Sequence, residues 1–352
     1  MLSTLGFTLK AQESPTYFYQ SLDYGSQTCY NPLTLIVNGG FGIMQINNRS
    51  TQLNSVDFQI GYQNVMTNIS NPIKAIKTFG VKKFITSEMI PTELKPKTAQ
   101  WFPNYQLHVI GGGMTYRALQ EWYASHHFKY PQLNALLALT SYHLLNEVVE
   151  NNRYSGTNVD AIADLLIFDP LGVFLFSFDS VARFFSHTLQ MADWSFQPMY
   201  APFSGTLENN GQNFSIKYNL AGSDKWSLFY FFGVHGLVGL SYKAQKGTSF
   251  SFGAGLIAKD LIELNGKNNT RSMTTSLVWT AGLFYDRNNS LLASLILAGT
   301  KGYRVRLNIY PGMISLGKFS PGLFFAVGKE KELIAGIHFR FIPVGCAGYL
   351  TK

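Results

Sequence analysis

The sequence predicts a transmembrane β-barrel of about ten to twelve antiparallel strands, preceded by an α-helical plug or a periplasmic helical domain. Three observations predict it. First, from Gln212 to Ile342 short segments alternate apolar with polar or small residues. Phe214, Ile216, Tyr218 and Leu220 take turns with Ser215, Lys217 and Asn219, and Tyr303, Val305, Leu307 and Ile309 with Arg304, Arg306 and Asn308. Leu333, Ala335, Ile337, Phe339 and Phe341 alternate with Gly336, His338 and Arg340, with Ile334 the exception. A period of two gives each strand one wet and one greasy face. Second, aromatics make up 15% of the 352 residues and charged residues only 14%, against about 25% charged in a soluble domain. Third, the mean hydropathy is only +0.03. A polytopic helical membrane protein needs about 20 apolar residues per span, whereas a barrel turns only half of each strand to lipid.

Taken in order, residues 1–11 read equally as the tail of a signal peptide or as an ordinary N-terminal segment. Residues 12–60 are irregular and rich in Asn, Gln, Ser and Gly, with one or two barrel strands expected near Leu33–Val37 and Gly42–Ile46. Residues 61–190 read as a helical plug or buttress. Pro72 opens a helix that puts Ile73, Ile76 and Phe79 on one face beside Lys74 and Lys77. A helix from Tyr105 to Tyr123 contains Gly111, Gly112 and Gly113. Each glycine costs a helix about 1 kcal/mol against alanine, so the triplet predicts close approach of another backbone or a break. Pro131 opens a helix to Glu150, and Thr157 or Asn158 caps another to Phe168. Asp169-Pro170 is expected to interrupt the chain before an apolar helix from Leu171 to Ser186. None of these reaches the roughly 18 uncharged apolar residues of a membrane span.

Residues 200–343 are read as strands: 212–221, 226–233, 236–244, 248–257, 273–285, 289–298, 302–310, 313–318, 321–328 and 331–342. Asn209-Asn210-Gly211, Asn265–Asn268 and Asp286–Asn289 supply turns. Trp226, Tyr242, Tyr285, Tyr303, Tyr310 and Phe341 lie near strand ends, as interfacial girdles do. A C-terminal tail, 344–352, follows the last aromatic of the pattern. The basic residues expected to line the lumen are Lys217, Lys243, Arg304, Arg306 and Arg340.

Lys and Arg outnumber Asp and Glu by 28 to 20. They are spread along the chain apart from Lys74, Lys77, Lys82 and Lys83, which suits lipid headgroups and excludes a nucleic-acid partner. Cys29 and Cys346 have no metal spacing, and whether they pair is left open.

The helices carry a polar constellation. His143 and Glu147 are four residues apart, with Thr140 and Glu150 on the same face, and Asp160 and Asp164 repeat that spacing. The candidate catalytic residues are His108, His143, Glu147, Asp160 and Asp164, because imidazole with carboxylates supports acid–base chemistry. Arg117, Glu150 and Asp169 are assigned to a structural polar network, since charges on apolar helices must meet partners. Imidazole and carboxylate also suit Zn or Mn, but HExxH and GxSxG are absent and no metal or cofactor is assigned. Ser204 lacks both glycines of an elbow, and nothing singles out Ser141 or Ser155.

Three runs together resemble an outer-membrane domain family of unknown function: His108 to Arg117, Tyr142 to Glu150, and Ser155 to Gly172. In that family a helical segment with His, Gly, Glu and Ser/Thr-x-x-Asp signatures precedes a barrel. The likeness covers roughly residues 100–175, and Val109 departs from the frequent His-Pro. It implies a bacterial outer-membrane location and a helical insert, without an activity. The expected role is a structural or accessory component of an envelope assembly, in contact with outer-membrane lipid and another envelope protein. An envelope lipid-acting hydrolase using the His/Glu/Asp cluster and a narrow channel are the alternatives.

Overall fold

Asn31 and Pro32 start the first helix. The Asn31 side chain accepts from the Thr34 backbone N–H at 2.9 Å, and proline fills the first helical position, whose N–H no helix uses. This local signal overrides the apolar run that suggested a strand at Leu33–Val37. The segment is helix α1, Pro32–Gly40, and the second expected strand is a 3₁₀ turn, Gly42–Gln45. The computed structural model describes residues 15–46, 50–90, 102–153, 156–265, 270–299, 302–328 and 332–351. The segment 1–11, Ser155 and the turn residues 266–268 lie outside them.

Helices α2 (Phe58–Ser70), α3 (Pro72–Phe79) and α4 (Val81–Phe84) lead into a π turn, Ile85–Met89. A π-helix, Phe102–Gly112, runs into α5, Gly113–Ser125, and α6 is Pro131–Glu150. The glycine triplet sits where these two join, and each glycine meets a different neighbour. A Cβ on Gly111 would stand 2.6 Å from the Phe214 ring, on Gly112 3.3 Å from His143 Nε2, and on Gly113 2.7 Å from the Gly172 carbonyl oxygen. The cost of the triplet is therefore offset by close packing on three sides.

Asp169-Pro170 does not interrupt the helix. α7 (Asp160–Ala163), a π turn (Asp164–Phe168) and α8 (Asp169–Phe176) run on continuously. The π turn shifts hydrogen bonds out of the ordinary register just where Pro170 has no N–H to give. The chain bends instead before α9, Asp179–Arg183, with 82° between the two arms. Among the described residues no single helix is long and apolar enough to cross a membrane, although this bent pair passes by length and composition.

The second half is a β-sheet. Its strands are β1 (Thr157–Asn158), β2 (Ala192–Asp193), β3 (Met199–Ala201), β4 (Thr206–Glu208), β5 (Phe214–Asn219), β6 (Trp226–Phe232) and β7 (His235–Lys243). They continue as β8 (Thr248–Asn265), β9 (Thr270–Arg287), β10 (Ser290–Ala298), β11 (Val305–Ile309), β12 (Gly322–Val327), β13 (Leu333–His338) and β14 (Gly345–Tyr349). Thirteen lie on one path, β2-β5-β6 through β14-β3-β4, and β1 pairs with β9 from the side. From β5 to β14 every neighbour is antiparallel, as the hairpin rhythm predicts.

The strand count exceeds the expected ten to twelve because the short β1 to β4 carry no readable alternation. The expected strand 313–318 is a turn closed by a Leu316–Phe319 bridge, with Gly312 and Gly317 at φ of +91° and +65°. The expected tail 344–352 contains β14. The segment from Ala192 to Ala201 pairs twice. Ala192 and Asp193 oppose Ser215 and Phe214 of β5, while Met199 and Tyr200 run parallel to Gly345 and Cys346 of β14. Between them Trp194 and Phe196 donate backbone N–H groups to Asn213 and Gly211, and Pro198 accepts from Gly345.

Two faces separate. Trp194, Phe229, Phe231, Phe284, Leu291, Ile296 and Tyr310 form one buried cluster under the sheet. On the opposite face one row crosses ten strands: Tyr218, Leu228, Leu240, Phe252, Leu283, Leu295, Leu307, Phe325, Ala335 and Gly348, each the partner of the next. None of the ten is buried. The helices pack over one border of the sheet, where Phe214, Ile216, Tyr230 and Phe232 join the core of α5, α6 and α8.

Candidate functional site

Three helical elements bring the polar constellation together. The π-helix supplies His108, α6 supplies His143 one turn ahead of Glu147, and the π turn and first residue of α8 supply Asp164 and Asp169. His108 is held from both sides: Nδ1 lies 2.9 Å from Asp169 Oδ1, and Nε2 lies 3.2 Å from Asp164 Oδ2. His143 Nδ1 comes within 3.3 Å of the same Asp169 oxygen, but without the angle of a hydrogen bond, and neither of its ring nitrogens has a hydrogen-bond partner. The ring is only 2% exposed. The two imidazoles lie with centroids 4.9 Å apart.

The electrostatics follow from burial. Desolvation pushes His143 down to about 4, against the pull of Asp169, so the ring is neutral at ordinary pH. Burial, then the nearby Asp160, hold both the Glu147 and Asp164 carboxyls well above the usual carboxylate range. Glu88, from the π turn after α4, is raised to about 7 by burial and by Asp160. Its Oε1 accepts from Ser87 at 2.7 Å, while its backbone carbonyl accepts from Asn104 at 2.9 Å. The cluster thus gathers more acid groups than it has cations to balance, and protons make up the difference.

All five candidate catalytic residues belong to this neighbourhood, though Asp160 is half-buried at its edge, its N–H bound to Asn158 Oδ1 at 3.1 Å. Asp169, assigned to the structural network, lies between the two histidines, within 3.3 Å of both. Glu150 is half-buried at the end of α6. Arg117 stands apart: it pairs with Glu121 at 3.3 Å and with Asp179 at 2.7 Å. Glu121 also accepts the backbone N–H groups of Tyr17, Phe18 and Tyr19 at 2.8–2.9 Å, pinning the N-terminal strap to α5. Sequence reasoning missed Glu88, Glu121 and an asparagine chain. In that chain Asn158 donates to Asn151 Oδ1 at 2.7 Å, and Asn151 to the Glu147 carbonyl at 2.8 Å. Isolated acids and asparagines at irregular spacing give no sequence signal.

The five basic residues expected to line a lumen divide. Lys217 is buried, paired with Asp286 at 2.6 Å and set 4.9 Å from the Trp194 ring centre. Arg306 is buried between the Phe196 and Tyr303 rings. Lys243 and Arg304 are exposed at strand ends, and Arg340 is half-buried in the turn after β13. Cys29 and Cys346 are both free, the first buried and the second exposed.

No family model, curated protein or solved structure matches the chain. What stands is a helical N-terminal region followed by a large β-sheet.

Proposed function

We propose that the chain is a bacterial outer-membrane β-barrel with a filled interior, serving as a structural or accessory component of an envelope assembly. The observation that carries this reading is the inverted sheet. The buried face holds Ser215, Lys217, Ser241, Ser251, Thr280, Asp286, Ser294, Arg306 and Asn308, mixed with aromatics. The open face holds Leu228, Val238, Phe252, Leu256, Trp279 and Leu283, each more than 45% exposed. A soluble monomer rarely exposes large contiguous apolar patches, and here Leu228, Phe252, Leu283 and Phe325 stand exposed in one row that crosses ten strands. Hydrocarbon tails are the solvent such a face fits.

Closure is supported by the double pairing of Ala192–Ala201, which touches β5 at one end and β14 at the other. A sheet closed in this way has no long free edge to satisfy in lipid. The buried cluster around Trp194, with Lys217 and Arg306 locked against partners, speaks for a barrel without a conducting path. A hydrolase would need a nucleophile beside a base, and Ser141, close to His143 in sequence, is exposed and donates to the Leu137 carbonyl.

The test is solvation by lipid. In vesicles with brominated acyl chains, a variant keeping only Trp279, on the open face, is quenched, while one keeping only Trp194, which is fully buried, is not. The folded chain also stays with membranes through alkaline extraction. A chain that dissolves without amphiphile, or equal quenching at both positions, overturns the reading. An assembly role further predicts co-purification of another envelope protein under gentle solubilisation.

A further inference from the structure

We infer that His108, His143 and Asp169 bind a single divalent transition-metal ion, of the class represented by Zn²⁺, independently of the barrel reading. The argument starts from His143. It is 2% exposed, and both its nitrogens lack a hydrogen bond. A buried polar group without a partner is costly, so such a ring calls for a ligand. Its Nδ1 lies 3.3 Å from Asp169 Oδ1, the same oxygen that sits 2.9 Å from His108 Nδ1. One donor atom from each of the three residues falls within 4.8 Å of the other two.

Two of the three donor spacings fit one ion. Bonds of about 2.1 Å place neighbouring donors about 3.0 Å apart in an octahedron and about 3.4 Å apart in a tetrahedron. Asp169 and each histidine already sit near that spacing. The far side of His108 is arranged for the same purpose: Nε2 faces Asp164 Oδ2 at 3.2 Å. When ionised beside a bound cation, Asp164 would accept the Nε2 proton, fix the tautomer that leaves Nδ1 free to ligate, and strengthen the ring as a donor. Two imidazoles and a carboxylate suit Zn²⁺, Mn²⁺ or Fe²⁺ better than Mg²⁺ or Ca²⁺. Because the ligands come from the π-helix, α6 and α8, the ion would tie three helices at one point.

The experiment uses the full chain in detergent, stripped with chelator and titrated with Co²⁺ alone. The expected result is one Co²⁺ per chain, with d–d absorption of a nitrogen- and oxygen-ligated ion that Zn²⁺ abolishes. His143→Gln and Asp169→Asn each weaken binding at least tenfold, and Asp164→Asn weakens it about 10–100-fold as a positioning residue. Helical circular dichroism and a cooperative thermal transition report which variants fold. X-ray absorption at the cobalt edge of the unmutated chain needs no variant and should count two imidazoles. No Co²⁺ uptake, a shell without imidazole, or binding that survives in folded His143→Gln and Asp169→Asn overturns the assignment and leaves the cluster as a hydrogen-bonded brace.

Discussion

Glu88 is a carboxyl placed where its charge is unwelcome. Burial and Asp160 raise it to about 7, with Ser87, Asn104 and Lys83 the groups that oppose the shift. The unfolded chain releases this proton near the ordinary value of about 4.5, while the folded chain keeps it until about 7. Between those limits the folded state binds more protons, so stability falls as pH rises and levels off above about 7. At one pKa unit per 1.36 kcal/mol, the penalty is on the order of 3 kcal/mol. Glu88→Gln is expected to flatten part of this slope and to stabilise the helices at pH 8. Hydrogen exchange of residues 102–125, corrected for intrinsic rates at pH 5 and pH 8, measures it; an unchanged slope refutes the account. Burial raises Glu121 as well, but there three backbone N–H groups and Arg117 pull against the shift. Glu121→Ala orphans those donors at about 1–3 kcal/mol each at most. The amides of Tyr17, Phe18 and Tyr19 should then exchange far faster, with the sheet amides unchanged.

At the scale of elements, the open face of the sheet is tested by charge. Leu283 lies in the middle of the ten-strand row, 58% exposed, between Phe252 and Leu295. Arginine there should cost about 2–4 kcal/mol in a lipid bilayer if this row lies at mid-membrane depth. Urea unfolding in lipid vesicles reads the loss, and a cost under about 0.5 kcal/mol would place the row outside the hydrocarbon. The elements also show what a sequence discloses. The strands from Phe214 to His338 were legible because one face of each is apolar over several residues, which fixes both period and register. Pro32–Gly40 was not legible as a helix from its apolar run, since Leu33, Leu35, Ile36 and Val37 suit either state and the decision fell to the Asn31 cap. β2, β3 and β4 are too short for any period to register, although they join the first and last of the long strands. In the site, the spacing of His143 and Glu147 placed both on one face of α6, but the convergence of His108 and Asp169 is tertiary. It rests on the π turns and on the glycine triplet, whose neighbours no single stretch of sequence names.

For the molecule as a whole, the decisive contact is the parallel pairing of β3 with β14. Tyr200 of β3 is the register partner of Cys346 in β14, and both side chains are exposed. Neighbouring strands lie about 4.8 Å apart, within the 4.4–6.8 Å span that a disulfide accepts between Cα atoms. Tyr200→Cys therefore places a second thiol opposite the native one, and the buried Cys29 is kept out of reach. Oxidation is expected to join the segment after the helices to the last strand, enclosing the whole run from β4 to β14 in one covalent loop. Chain entropy gives about 5 kcal/mol for a loop of this length, less any strain in the native state. Thiol titration should fall from three groups to one in the denatured, oxidised variant, and its heat-unfolding midpoint should rise and return on reduction. If both thiols stay reactive under oxidant, β3 and β14 do not stay paired in solution, and the proposed barrel closure loses its support.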